Sequence, residues 1–456
     1  MKVLKFGGTS VGTVESLKNL KGIVDGLDSP AIVIVSALGG LTDKLISTAE
    51  SAVKRDPEFR ENVRQMAKRH YDIIEEMVPS SRKKSVLNEI NPLLEDLSDI
   101  YEGVYLLRDL SEKTMNRIVS FGERMSSIIV ANLLEDAVHA DSLGFMKTEK
   151  WFDKNIAARQ ETEALIKDTF SLPLKRTIVA GGFISRDKES EEITNLGRGG
   201  SDYTAALIAA ALDADILEIW TDVDGFMTAD PRIIPNASII DNMSFIESME
   251  LCSYGAKVIY PPTIYPVFHK NIPIKILNTH NPEAKGTLIT DDNKDYGDEV
   301  RGVSSLKDSA IIKITGELAS NVPEISSRTY NAMARKGINI SLVSNPDEKE
   351  EFSMTLSCKD VKASMDVLKD EFAPELQSGK INDIKAEDKL AVIAVVKENI
   401  RELKGLGARL TNTLQRDGIK VKAISEGTSE TTIALIVDEE KSEQSLRLIH
   451  SVCFNR

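Results

Sequence analysis

The sequence predicts an α/β protein with a mostly parallel open sheet flanked by helices, followed by two small ferredoxin-like α+β modules. In residues 1–225, short apolar runs end in Gly- and Ser-rich loops that open helices, which is typical of parallel strands in an open sheet. Beyond residue 300, a pattern of strand, amphipathic helix and two further strands occurs twice, which is typical of a duplicated α+β module.

Four apolar runs predict the strands that carry the loops of the first domain: residues 3–6, 31–36, 177–180 and 216–220. Because the carboxyl ends of parallel strands meet at one edge of a sheet, we expect ligands at that edge. Residues 54–115 are charged, heptad-like and almost free of glycine, so they predict a helical insertion. This insertion is either a lid or interface, or a set of solvated helices without chemistry.

Beyond a polar boundary near residues 290–297 the chain repeats itself at an offset of 81 residues. At this offset residues 311–314 match 392–395, and residues 337–340 match 418–421. We place the first domain at residues 1–297, with the helical insertion at about 54–115, and the two modules at 303–385 and 388–456. A dimerisation module and a small-molecule sensor both fit such a duplication.

The composition indicates a globular protein and argues against several classes. The chain has 456 residues, of which 41% are apolar and 28% charged, enough for two or three domains. Three widely spaced cysteines and five histidines argue against a zinc site or a disulfide framework. A net charge of −14 argues against nucleic acid as the main partner. We expect a cytoplasmic protein without membrane contact, since we find neither a signal peptide nor an apolar run of about 20 residues.

Two glycine-rich loops indicate phosphoryl transfer. Lys5 begins the segment KFGGTS, where backbone N–H groups and an ammonium suit a phosphate, although this is not a Walker A sequence. Arg198 lies between glycines in GRGGSD, where a guanidinium can approach a carboxylate with two hydrogen bonds. From these residues alone other interpretations stay open. Lys5 can be a solvated lysine, Asp202 a helix cap, and the acidic segment 221–232 a plain turn.

Seven segments lie in order along the chain: KFGGTS at 5–10, VSA at 35–37 with Thr42 and Asp43, SFGER at 120–124, GRGGSD at 197–202, WTDVDG at 220–225, DPR at 230–232 and YGAKV at 254–258. With these segments the chain resembles the aspartokinases of the amino-acid kinase family. The duplicated modules resemble the paired ACT domains of the same enzymes.

The resemblance implies an aspartate kinase, which uses ATP and Mg²⁺ to phosphorylate the β-carboxylate of L-aspartate. This is the first step of lysine, threonine and methionine biosynthesis. The implied catalytic residues are Lys5 and Asp202. Lys5 would stabilise the transferring γ-phosphoryl group, and Asp202 would orient Lys5 or the metal. No residue is assigned as a direct metal ligand. The implied aspartate-binding residues are Ser36, Thr42, Glu123, Arg198 and Ser201, with Arg198 on the α-carboxylate and Glu123 on the α-ammonium. The implied ATP-binding residues are Lys5, Phe6, Gly7, Gly8, Thr221, Asp222, Met227, Arg232, Lys257 and Val258.

The resemblance also implies feedback inhibition by an end-product amino acid, with lysine as the first candidate and threonine as the second. The implied effector-binding residues are Asn321, Val322, Glu324, Ile325, Ile340 and Ser341. A homodimer or homotetramer would form through the ACT-like modules. We expect no homoserine dehydrogenase activity, because the chain stops at Arg456, where many relatives continue into that module.

The chain departs from the family pattern in four places that bear on these roles. Met227 stands where tyrosine is usual, Glu324 stands where glycine is usual, Tyr260 precedes two prolines, and residues 345–348 lack the usual serines. These departures leave the effector open. A kinase for another acceptor, such as glutamate, and an amino-acid sensor without kinase activity are the alternative functions.

Overall fold

The computed structural model describes residues 1–151, 154–291, 299–344, 350–426 and 430–454. The departure at residues 345–348 and the predicted domain end at residue 297 lie outside these ranges. The chain forms two compact units: the first comprises Met1–Phe226, Ile239–Phe245 and Val258–Lys294, and the second comprises Met227–Ser238, Ile246–Lys257 and Asp295–Arg456.

Helices and strands alternate through the first unit and recur in duplicate in the second. The helices are α1 (Gly8–Val11), α2 (Val14–Asp25), α3 (Leu41–Val53), α4 (Phe59–Met77), α5 (Ser80–Leu107), α6 (Glu112–Leu133), α7 (Arg159–Thr169), α8 (Gly200–Ala211), α9 (Phe245–Ser253), α10 (Tyr265–Phe268), α11 (Val322–Ala334), α12 (Val361–Glu371), α13 (Ala373–Ser378), α14 (Leu406–Arg416) and α15 (Ser442–Phe454). The strands are β1 (Lys2–Phe6), β2 (Ile32–Val35), β3 (Ala137–Ala140), β4 (Lys147–Trp151), β5 (Lys154–Ala157), β6 (Thr177–Gly181), β7 (Ile184–Asp187), β8 (Ile193–Asn195), β9 (Ile216–Thr221), β10 (Asn242–Met243), β11 (Ile274–Asn278), β12 (Thr287–Ile289), β13 (Gly302–Thr315), β14 (Leu342–Ser344), β15 (Glu351–Ser357), β16 (Asp383–Val396), β17 (Ala423–Glu426) and β18 (Thr432–Asp438).

The main sheet of the first unit has the strand order β10-β12-β11-β9-β1-β2-β6-β3. Its neighbouring strands run parallel except for the antiparallel pair β11–β12. Strand β2 has the sequence IVIV and is buried along its whole length, as expected for a strand covered by helices on both faces. The four predicted strands are present as β1, β2, β6 and β9, and they are neighbours in the order β9-β1-β2-β6. Their carboxyl ends therefore share one edge of the sheet.

Residues 54–115 form α4, α5 and the start of α6. The apolar faces of these helices are buried in the core of the first unit: Phe59, Ile90 and Tyr101 are among the buried side chains. The Tyr101 hydroxyl donates a hydrogen bond to the Leu45 carbonyl oxygen of α3 at 2.9 Å. This packing makes the insertion an integral layer of the first unit rather than a set of solvated helices.

The second unit contains one antiparallel sheet with the order β14-β15-β13-β16-β18-β17. The repeat of 81 residues is visible in it, since residues 311–314 lie in β13 and residues 392–395 in β16. Gly337 and Gly418 follow α11 and α14 with φ angles of 64° and 73°, a left-handed conformation that favours glycine. The parallel sheet and the duplicated α+β unit confirm the predicted fold class.

The two repeats are joined through their longest strands. β13 and β16 pair with each other over most of their length, so the two copies form a continuous sheet. Val303, near the start of β13, packs in the same apolar cluster as Ile393 of β16 and Leu410 of α14. The predicted module boundaries at 303–385 and 388–456 thus fall within continuous strands. None of the helices in the described ranges has the length and apolar character needed to span a membrane.

His70 of α4 generates a prediction about stability. Its side chain is fully buried, with Nδ1 2.7 Å from the Met66 carbonyl oxygen, and burial lowers the pKa of His70 to about 4. Because the unfolded chain takes up this proton near pH 6.5, the free energy of unfolding should fall between pH 6.5 and 4, by about 1.4 kcal/mol per pH unit. Above pH 6.5 this loss disappears.

Denaturant unfolding of the wild-type chain and of His70→Leu at several pH values measures the effect. The variant should lose less stability than the wild type between pH 6.5 and 5. The exposed His280, replaced by asparagine, serves as the matched control. Identical pH slopes for the wild type and His70→Leu would contradict the prediction.

Candidate active site

A cavity of about 260 Å³ lies in the first unit at the carboxyl ends of β1 and β2. The predicted catalytic and aspartate-binding residues that line it are Lys5, Ser36, Thr42, Glu123, Ser201 and Asp202. They come from four places in the chain: the end of β1, the segment from β2 into α3, the middle of α6 and the first turn of α8. The cavity is therefore the candidate active site.

Lys5 and Asp202 form a nearly buried ion pair at the cavity wall. The Lys5 Nζ and the Asp202 Oδ1 are 2.6 Å apart. The interpretation of Asp202 as a helix cap is not what the structure shows, because the N-cap of α8 is Gly199 and no side chain caps it. Asp202, in the first turn of α8, instead pairs with the ammonium of Lys5 near the carboxyl end of β1.

Glu123 contributes a buried carboxylate with an unused oxygen. Gly122 lets α6 approach the loop after β2, since a Cβ there would lie 2.7 Å from the Ala37 Cβ. Through this approach the Ala37 N–H donates a hydrogen bond to the Glu123 Oε1 at 3.1 Å. The Oε2 atom is buried and has no hydrogen-bond partner among the described residues.

The environment of Glu123 favours the neutral form of its side chain. Burial raises the pKa of Glu123 to about 8, against the smaller opposing effect of the Ala37 N–H. A buried polar atom without a partner costs about 1–3 kcal/mol. A cationic group entering the cavity would relieve this cost and favour the ionised carboxylate.

Hydroxyl groups and close backbone contacts form the rest of the cavity. The hydroxyl-bearing residues Ser36, Thr42 and Ser201 line it. Gly182 is required at its position, because a Cβ there would lie 2.6 Å from the Ser201 Cα. Phe183 also lines the cavity, with a φ angle of 68° and its N–H donating to the Thr204 Oγ1 at 3.1 Å.

Phe183 is a cavity residue that sequence reasoning left without a role. A sequence pattern could have indicated it. Phe183 follows Gly181 and Gly182 at the end of β6, and glycine-containing segments at the ends of β1 and β2 are assigned to the site. Its backbone lies in a conformation that costs about 1–3 kcal/mol for a residue other than glycine, and such residues cluster at functional sites.

Arg198 lies on the cavity loop, but its side chain does not line the cavity. The neighbouring glycines 197, 199 and 200 do line it, whereas Arg198 is exposed and makes no ion pair with the described residues. Gly199 is covered by Tyr260, since a Cβ at Gly199 would lie 2.4 Å from the Tyr260 Cβ. The contact of Arg198 with an α-carboxylate stays a prediction.

The predicted nucleotide-binding residues are divided between the two units. Lys5, Phe6, Gly7, Gly8, Thr221, Asp222 and Val258 belong to the first unit, and Met227, Arg232 and Lys257 belong to the second. The Gly7 N–H donates to the Trp220 carbonyl oxygen at 3.0 Å, which places the loop after β1 beside the end of β9. In the second unit Arg232 pairs with Asp230 at 2.7 Å. Nucleotide binding by these residues stays a prediction.

The predicted effector residues lie at two places in the first repeat of the second unit. At the start of α11, Asn321, Val322 and Glu324 are exposed, and the Asn321 amide donates to the Glu324 Oε2 at 2.9 Å. Ile325 is fully buried in the apolar core, so its side chain packs against other residues rather than facing solvent. Ile340 and Ser341 precede β14, where the Ser341 N–H donates to the Thr355 carbonyl oxygen at 2.8 Å.

Comparison with known families and sequences identifies relatives of both units. The amino acid kinase family matches residues 1–278, and the ACT domain matches residues 393–452. The bifunctional aspartokinase/homoserine dehydrogenase of Buchnera aphidicola is 30% identical over 469 residues, covering 100% of this chain and 56% of the relative. The Haemophilus influenzae protein of the same name is 29% identical, with 100% and 57% covered. The chain thus spans about half the length of these relatives.

Solved structures give the same result. E. coli aspartokinase III in complex with aspartate and ADP, in the R-state, has a TM-score of 0.86 and 27% identity, with 100% of both chains covered. The same enzyme in complex with lysine and aspartate, in the T-state, has a TM-score of 0.74. These similarities confirm the resemblance to aspartokinases that the seven sequence segments indicated.

The unpaired carboxylate of Glu123 predicts an unusual effect on stability. Between pH 4.5 and 8 this carboxyl group ionises in the unfolded chain but stays protonated in the folded chain. The wild type should therefore become less stable relative to Glu123→Gln as the pH rises, by about 1.4 kcal/mol per pH unit, and the difference should level off above pH 8.

Thermal or urea unfolding without ligands at pH 6 and pH 8 tests this expectation. The exposed Glu89 on α5, replaced by glutamine, is the matched control. A Glu123→Gln variant whose stability relative to the wild type is the same at both pH values would show that the carboxyl group is already ionised in the folded chain.

Proposed function

The chain belongs to the amino acid kinase family, and within it we propose that the protein is an aspartate kinase, which transfers the γ-phosphoryl group of ATP to the β-carboxylate of L-aspartate. The proposal rests on one observation: Glu123 and Lys5 line the same cavity, and the buried Oε2 atom of Glu123 has no hydrogen-bond partner among the described residues. An acceptor with one ammonium group and two carboxylates suits such a cavity. Relatives named aspartokinase favour aspartate over other acceptors.

The proposed roles follow from the charges. The α-ammonium of aspartate would pair with Glu123, which gives up its proton when the cation binds. The hydroxyl groups of Ser36, Thr42 and Ser201 would donate hydrogen bonds to the acceptor. Its β-carboxylate is already ionised near pH 7, so the attack needs no general base. Arg198, exposed on its loop, would reach the α-carboxylate only if the loop or side chain turned inward on binding.

Lys5 would act on the donor side. Phosphoryl transfer depends mainly on positioning and on neutralising the negative charge of the transferring group. The ammonium of Lys5 is held by Asp202, and the Gly8 N–H three residues further on suits a terminal phosphate, whereas the Gly7 N–H is engaged by the Trp220 carbonyl oxygen.

The donor set of the cavity is compatible with the Mg²⁺ that accompanies ATP. Magnesium in kinases is held largely by phosphate oxygens with one or two carboxylates. Asp202 is a carboxylate at the cavity wall that suits this role, whereas Glu123 is taken by the α-ammonium of the acceptor in the roles proposed above. When bound, the ion would neutralise charge on the phosphates. The described residues contain no cluster of three or more histidine, cysteine or acidic side chains that would hold a metal by itself.

An acceptor assay tests the proposed function. The purified chain with ATP and Mg²⁺ should phosphorylate L-aspartate, and it should show little activity on L-glutamate or N-acetylglutamate. Lys5→Ala should lower kcat on the order of 10²-fold, because it removes a charge from the transition state. Activity only on the other two acceptors would replace aspartate with one of them, and inactivity on all three would favour the amino-acid sensor.

We also propose that the second unit binds a regulatory amino acid and joins copies of the chain into a homodimer or homotetramer in the cytoplasm. The match of residues 393–452 to the ACT domain supports this role. Lysine is the first candidate because the structure of a relative contains it, and threonine is the second. Such a ligand can inhibit only if it binds an inactive arrangement more tightly than an active one.

Titration of lysine and threonine during turnover tests the regulatory role. Lysine should lower the rate of the wild-type enzyme, and Glu324→Gln should weaken this inhibition without changing the rate in its absence. Arg335→Met is the control. Arg335 is exposed at the end of α11, the helix that contains Glu324, and its Nη2 lies 3.4 Å from the Glu371 Oε2. A rate that neither amino acid changes would leave the second unit with a structural role.

A further inference from the structure

Arg69, on the insertion helix α4, joins two loops of the candidate active site. Its Nη1 donates a hydrogen bond to the Gly39 carbonyl oxygen at 2.9 Å, and its Nη2 donates to the Gly12 carbonyl oxygen at 2.7 Å. Gly12 belongs to the segment that follows β1, and Gly39 belongs to the segment that follows β2. One guanidinium group therefore bonds both segments at once.

The two loops touch through their backbones. A Cβ at Gly39 would lie 3.0 Å from the Gly8 carbonyl oxygen, and a Cβ at Gly12 would lie 3.1 Å from the Gly39 nitrogen. Glycine at these three positions allows the approach, but glycine has no side chain that could hold the loops together. Arg69 supplies that link from outside, and it does not itself line the cavity.

Each of the linked loops serves one side of the proposed reaction. The first loop contains Gly7 and Gly8, includes the single helical turn α1 before Gly12, and follows Lys5 and Phe6 at the end of β1, so it lies on the phosphate side. The second loop leads from Ser36 to Thr42, whose side chains line the cavity on the acceptor side. A change in the spacing of the loops would therefore change the distance between donor and acceptor.

We propose that Arg69 is a positioning residue that sets this spacing, and thereby aligns the acceptor carboxylate with the phosphoryl group; the inference rests on the proposed function. Arginine suits the task because its planar fork presents two N–H groups in fixed directions, whereas lysine presents a single nitrogen. Phosphoryl transfer depends on alignment, and a displacement of about 1 Å can cost on the order of 10²-fold in rate.

Arg60 provides a matched control on the same helix. It makes two hydrogen bonds to the Glu102 carboxylate of α5, the shorter at 2.5 Å, and its guanidinium lies over the Phe59 ring. Arg60→Ala therefore removes a comparable bidentate contact from α4 without touching either loop. Alanine preserves the helix in both variants because of its high helix propensity.

The experiment compares Arg69→Ala, Arg69→Lys and Arg60→Ala by kinetics and thermal unfolding. Arg69→Ala should lower kcat on the order of 10²-fold with smaller changes in the KM values, and Arg69→Lys should lie between it and the wild type. Millimolar guanidinium chloride should restore part of the activity of Arg69→Ala and none in Arg60→Ala. Equal kcat in Arg69→Ala and Arg60→Ala, at equal melting temperature, would overturn the inference.

Amide hydrogen exchange separates this inference from the proposed function. In the ligand-free protein, peptides that cover residues 7–12 and 36–42 should exchange faster in Arg69→Ala than in the wild type, and be unchanged in Arg60→Ala. Unchanged exchange in Arg69→Ala would show that the loops hold their places without Arg69, and would overturn the inference. A wild-type chain inactive on aspartate would defeat the proposed function, while the exchange data would still decide whether Arg69 orders the loops.

Discussion

The adjacency of four parallel strands, in the order β9-β1-β2-β6, is the constraint on which the candidate active site depends. Parallel strands in register bring their carboxyl ends to one edge, so the loops after all four must share a small volume. The loops fit there because glycine occupies the points of closest approach. Gly8 lies against the loop after β2, and Gly182 lies against Ser201 of α8. The Gly-rich character of these loops is thus a packing requirement as well as a source of N–H groups.

The charged groups of the cavity are one ion pair and one buried carboxyl group that has an unpaired oxygen. The chain carries a net charge of −14, which would oppose the approach of any anionic ligand. Within the cavity Asp202 pairs with Lys5, and burial raises the pKa of Glu123 to about 8, which favours its neutral form. The cost is a buried carboxylate oxygen without a partner. Such a cost is expected where binding groups are held ready for a ligand.

The helical insertion and the duplicated modules show how elements with no catalytic chemistry can support a site. The insertion buries its apolar face in the core of the first unit and extends Arg69 to two backbone carbonyl groups. In the second unit, the pairing of β13 with β16 joins both repeats into one sheet.

The sequence alone determined the fold class, the duplication and most of the residues that line the cavity. Apolar periodicity and glycine-rich strand ends are local patterns, and the 81-residue repeat is found by comparing the sequence with itself. The resemblance to aspartokinases supplied Ser36, Thr42, Glu123 and Ser201. The tertiary structure decided between two stated roles of Asp202, since it holds Lys5 instead of capping α8. It also decided that Arg198 does not line the cavity and that Arg69 joins two loops. These outcomes depend on distances between segments remote along the chain, and such distances are set by how helices and strands pack rather than by local pattern.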